Sequence, residues 1–141
     1  MVTTITEAIK KVINDFKGIN SWEEKYKHLI ELGKALPPME EAYRVDKNLV
    51  RGCQSKVWFH SDLKNGRLYF QGDSDAAIVK GIVALLFMVY SGRTPDEILG
   101  NKPTFLEDIG LREHLSMSRS NGLSSMLKQI SLYAIAFKSQ L

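Results

Sequence analysis

The chain's single cysteine, Cys53, lies in the run Arg51-Gly52-Cys53-Gln54-Ser55-Lys56-Val57-Trp58. One thiol excludes an internal disulfide, a Cys-x-x-Cys redox pair and a cysteine-rich metal cage. It leaves an inert buried thiol or a solitary reactive one. Structural cysteines sit in apolar runs, because a free Cys behaves as a small hydrophobe. Cys53 instead follows a glycine and precedes two polar residues. From Lys47 to Arg67 five basic residues (Lys47, Arg51, Lys56, Lys64, Arg67) face one acid, Asp62. Positive surroundings favour the thiolate, which is the nucleophilic form. The local sequence therefore favours a reactive thiol.

Other chemistry-bearing residues are weaker candidates. His28, His60 and His114 lack the spacing of metal ligands, so no metal site is expected. His60 falls close enough in sequence to approach Cys53 as a base, but a strand residue facing solvent is the better reading of a lone histidine. Asp73 and Asp75 suggest a carboxylate pair, but capping the apolar helix that follows accounts for both. Arg119 stands beside serines at a helix start, where a cation opposes the local dipole. It calls for compensation by an acid such as Asp75 or by an anionic sulfur.

These residues need elements to hold them. Thr4 with Glu7 makes a capping box. Behind it Ile5, Ile9, Val12, Ile13 and Phe16 share one helical face, with Gly18 as the stop. Ser21 with Glu24 opens a second helix carrying Trp22, Tyr26, Leu29, Ile30 and Gly33, ended by Leu36-Pro37-Pro38. Residues 39–56 read as loop, with a short strand at Leu49–Arg51. Val57–His60 and Arg67–Gln71 are rich in β-formers and meet through Asn65-Gly66, a hairpin signal. Gly72-Asp73-Ser74-Asp75 reads as the start of an all-round apolar helix over Ala76–Tyr90, the expected centre of the core. Thr94-Pro95-Asp96-Glu97 begins a short helix, and another short piece runs to about Asp108. A last helix begins near Ser118–Asn121, with Leu123, Met126, Leu127, Ile130, Ala134 and Phe137 on one stripe. The fold class is α+β, a small antiparallel sheet packed by helices.

At 141 residues, with 44% hydrophobic and 25% charged residues, the chain suits one domain over residues 1–141. A net charge of +3 without a basic block gives no indication of nucleic-acid binding. No apolar run reaches the ~20 residues that span a bilayer, and no signal-peptide core is visible, so no membrane association is expected. A cytoplasmic setting, where a free thiol stays reduced, is the expectation.

Several strings resemble the SufE family. Trp22-Glu23-Glu24-Lys25-Tyr26, Ile30-Glu31-Leu32-Gly33-Lys34 and Leu36-Pro37 are similar to its N-terminal half. Gly52-Cys53-Gln54-Ser55 with Val57-Trp58 resembles its acceptor-cysteine motif. Gln71-Gly72-Asp73-Ser74-Asp75-Ala76-Ala77-Ile78-Val79-Lys80-Gly81 and Ser118-Arg119-Ser120-Asn121-Gly122-Leu123 match in the same order. The close paralogue CsdE shares this plan, but the Cys-Gln-Ser version is more similar to SufE.

The resemblance implies a fold like that of the IscU scaffold, though one cysteine cannot hold a cluster. It implies a sulfur acceptor that works with a SufS-type, pyridoxal-phosphate-dependent cysteine desulfurase and stimulates it. Cys53 would take the persulfide sulfur and pass it to a SufBCD-type scaffold, with no cofactor of its own, as a monomer or homodimer. Gly52, Gln54, Asp75 and Arg119 fall at supporting positions. Gly52 would let the loop swing, Arg119 would orient the loop or stabilise the persulfide anion, and Asp75 would pair with Arg119. Two other readings stay open: a stand-alone cysteine-nucleophile enzyme, and a non-catalytic interaction domain.

Overall fold

The computed structural model describes residues 3–140. Residues 1, 2 and 141, which the one-domain expectation over 1–141 includes, lie outside it. Six α-helices surround a two-stranded antiparallel sheet among the described residues, so the architecture is the α+β one expected. They are α1 (Ile5–Lys17), α2 (Trp22–Ala35), α3 (Ala77–Tyr90), α4 (Pro95–Gly100), α5 (Phe105–Asp108) and α6 (Met117–Lys138), with strands β1 (Val57–Lys64) and β2 (Arg67–Ser74) between α2 and α3.

Helix α3 is the centre. Ten of its residues are buried, from Val79 to Tyr90 with only Lys80 and Met88 left out, as an all-round apolar helix requires. The sheet covers one side through Phe87, whose ring lies 5.1 Å from Phe59 and 5.4 Å from Phe70. On another side α2 crosses α3 at Gly33 and Gly81. A Cβ built on Gly81 would lie 2.1 Å from the Leu29 carbonyl oxygen, and one on Gly33 would lie 2.9 Å from the Gly81 nitrogen. The two backbones therefore touch directly. Helix α6 contributes Gly122, Leu123, Met126, Ile130 and Ala134, one face at helical spacing.

Local signals explain most boundaries. Thr4–Glu7 and Thr94–Glu97 form complete capping boxes, and Pro95 occupies the first turn of α4. At Ser21 the side chain accepts from the Glu24 N–H, which is half of such a box. Asn65 (φ 52°) and Gly66 (φ 78°) make the hairpin turn, both in the left-handed region that Asn-Gly tolerates.

Three expectations are corrected. The strands extend further than their β-rich cores, to Lys64 and Ser74, so Gly72, Asp73 and Ser74 are strand residues rather than a helix start. Gly72 fits there because a Cβ would meet the Phe87 ring at 2.8 Å. Neither aspartate caps α3, whose N-cap is Ala76 without a side-chain bond. Asp73 is instead gripped by Arg44 (2.7 Å) and Lys80 (3.3 Å). Burial alone would raise the Asp73 carboxyl, but Arg44, the Ser74 N–H and Lys80 outweigh it and hold the group below the usual carboxylate range. Finally, the Leu49–Arg51 strand reduces to a single bridge from Leu49 to Trp58. Two short 3-10 turns, Glu41–Tyr43 and Asp46–Asn48, fill the preceding loop.

Candidate functional site

The loop bearing Cys53 leaves Val50 and returns at β1. Its neck is closed by the Val50 N–H donating to the Val57 carbonyl at 2.8 Å. Asp75 adds a two-point clamp. Its backbone N–H donates to the Lys56 carbonyl (3.2 Å), and its carboxylate accepts from the Lys56 N–H (3.0 Å). That is the observed role of Asp75, and it corrects the expected pairing with Arg119. Within the loop Gly52 takes φ 92°, in the region that favours glycine. It also lies against α6, where a Cβ would come 2.3 Å from Ser125 Oγ.

Cys53 is half-buried, and its thiol donates to the Gly122 carbonyl on α6 at 3.6 Å, a weak sulfur contact. The sulfur borders a cleft of about 350 Å³ lined also by Gln54, Ser55, Ser116, Arg119 and Met126. Four of the five sequence candidates thus converge on one place. Cys53, Gln54 and Arg119 line the cleft, while Gly52 shapes the loop. The fifth, Asp75, acts from behind.

Arg119 is exposed and makes no ion pair among the described residues. Ser116 caps its helix by accepting from the Arg119 N–H at 3.3 Å. A guanidinium is therefore free beside the only thiol. Its unfavourable place at a helix start, visible in the sequence, is left uncompensated among the described residues.

Burial pushes the Cys53 thiol up, contrary to the expectation that Arg51 and Lys56 would hold a thiolate. Both flanking cations are exposed to water, where screening weakens them, so desolvation of the sulfur dominates. The thiol at rest is protonated at neutral pH. Iodoacetamide should accordingly label folded protein with a pH midpoint above that of the same chain in denaturant. A folded midpoint below the denatured one would overturn this account.

No histidine lines the cleft. His60 stacks on Tyr43 (centroids 3.5 Å apart) and bonds to Asp62 at 3.0 Å, while His28 packs edge-on against Phe16. His114 stacks on Trp22 at 3.9 Å, and Tyr26 OH donates to its carbonyl. Trp22 and Tyr26, partly buried against the core, therefore also pin the segment that leads into Ser116. Arg112 braces the same corner by donating to Ser124 Oγ at 2.8 Å. Neither contact has a local sequence signal, because the partners come from separate elements.

Among the described residues no group of three His, Cys, Asp or Glu could hold a metal ion, and no helix is long and apolar enough to cross a membrane. The fold resembles the solution structure of a hypothetical protein from Thermus thermophilus. The two share 24% identity over 92% of this chain and 94% of that one, with a TM-score of 0.76. The sequence also matches the SufE family model, described as an Fe-S metabolism associated domain, over residues 10–134. That match takes in α2, the cysteine loop, the hairpin and nearly all of α6, so the chain belongs to the SufE family.

Proposed function

We propose that this protein is a sulfur acceptor and carrier, loaded at Cys53 by a SufS-type cysteine desulfurase, which it stimulates, and unloaded at a SufBCD-type scaffold. The observation that carries the reading is the chain's one thiol opening onto a cleft beside an arginine that makes no ion pair among the described residues. In the transfer step Cys53, as thiolate, attacks the outer sulfur of the donor's persulfide. An S–S bond forms to Cys53 as the donor's S–S bond breaks, and the electron pair leaves on the donor's thiolate. The Cys53 proton passes to that thiolate or to water, and no outside oxidant or reductant is needed.

Two features of the resting site support such a cycle. A protonated, half-buried thiol resists oxidants and stray thiols between encounters. Arg119 supplies the charge that favours ionisation when the donor closes over the cleft, and it stabilises the persulfide anion afterwards. Gln54 borders the sulfur as a polar neighbour, and Gly52 gives the loop its path. A stand-alone cysteine hydrolase needs a base against the thiol, and the histidines are engaged elsewhere.

Intact-protein mass spectrometry after incubation with a SufS-type desulfurase and cysteine tests the reading. Wild type should gain the mass of one sulfur atom, reversibly with reductant, and Cys53→Ser should gain none. An active desulfurase that leaves wild type unloaded would sink it.

A further inference from the structure

On the other side of the Cys53 loop lies a second concavity, also of about 350 Å³. Lys47, Leu49, Arg51, Ser125, Lys128 and Leu132 line it. Its charge is one-sided. Lys47, Arg51 and Lys128 are exposed, no acid lines the groove, and none of the three cations is in an ion pair among the described residues. Its floor is partly apolar, with Leu132 47% exposed although it sits mid-helix on α6. The groove and the cysteine cleft share two walls. Arg51 lines one and Cys53 the other, and Gly52 between them abuts Ser125 of α6.

We propose that this groove docks an acidic, partly apolar segment of the sulfur-donating desulfurase, next to the donor's persulfide cysteine. Three uncompensated cations fit two or three carboxylates, and Leu49 with Leu132 receives an apolar side chain among them. A contact there grips the ridge that carries Cys53, so docking and presentation of the sulfur acceptor are one event. A single-stranded nucleic acid fits less well, because no aromatic side chain lines the groove to stack a base. The inference rests on the sulfur-acceptor reading and adds the partner's chemistry to it.

The test is desulfurase stimulation as a function of this protein's concentration. Lys47→Glu/Lys128→Glu should raise the half-saturating concentration about tenfold or more, with the loss falling there rather than on the saturating rate. Lys47→Arg/Lys128→Arg should restore it, and Lys10→Glu/Lys64→Glu, with the same change of net charge, should leave it where wild type has it. Salt raised from roughly 50 to 200 mM should weaken wild type more than the reversed variant. If wild type takes up sulfur normally and the reversal leaves half-saturation unchanged, the groove is not the docking site and the carrier reading stands. If a single-stranded oligonucleotide binds wild type through Lys47 and Lys128 while desulfurase half-saturation is unaffected, the occupant is nucleic acid and the proposal falls. If wild type never takes up sulfur, the carrier reading fails and the inference goes with it.

Discussion

Gly81→Ala is expected to lower Tm by about 10 °C or more, although it adds one methyl group. The new Cβ would stand 2.1 Å from the Leu29 carbonyl oxygen and 2.5 Å from its carbon. Overpacking in a core costs about 1–3 kcal/mol where side chains can turn aside. Here the obstacle is backbone, and the only relief is to separate α2 from α3. That separation exposes the apolar face of the most buried helix and disturbs Gly33 on the opposite wall. A loss of about 3–5 kcal/mol follows, a large share of a total stability of about 5–15 kcal/mol. Gly100→Ala is the contrast. It closes α4 in open space, and its methyl group meets nothing within 4 Å. Its Tm should stay level or rise slightly, because alanine lowers the entropy of the unfolded chain. Circular dichroism melts of both variants decide the matter, and a Gly81→Ala protein melting with wild type would refute the backbone contact.

The second large effect is at Gly52. Gly52→Val should slow sulfur uptake by about thirtyfold or more while lowering Tm by only a few degrees. Two separate penalties act there. A β-branched residue at φ 92° is strained by about 1–3 kcal/mol. Its Cβ also collides with Ser125 Oγ. Because the loop is exposed, it yields rather than the core, and Cys53 leaves its place on Gly122. Misplacing a reacting atom by an ångström costs about 100-fold in a positioned reaction, so the estimate is modest. Adding Ser125→Gly removes the collision and leaves the dihedral strain. Partial recovery of the uptake rate in the double variant, followed by mass gain over time, would separate the two causes. Uptake at the wild-type rate by Gly52→Val alone would mean that the loop's dihedrals are immaterial to transfer.

What was legible in the sequence follows from range. The apolarity of α3, the Asn65-Gly66 turn and the Thr-x-x-Glu boxes are set by residues within one or two turns of each other. Each appears where the pattern places it. The Gly72–Asp75 run misled because glycine, aspartate and serine punctuate chains generally. Here Gly72 makes room for Phe87, and Asp73 answers an arginine 29 residues earlier. Cys53 shows the same limit. Its polar neighbours argue for a reactive thiol but do not fix its burial, because the carbonyl it meets belongs to Gly122, 69 positions away. In the sequence Gly81 stands as an interruption of an apolar run. Its meaning depends on Leu29, which no local window contains.

The single thiol in its cleft also fixes an arithmetic. On the carrier reading, one molecule moves one sulfur per visit, with no second site in which to hold a reserve. Throughput is then the product of how many copies circulate and how often each is filled and emptied. A cell that needs more clusters can then raise the number of carriers or quicken their turnover.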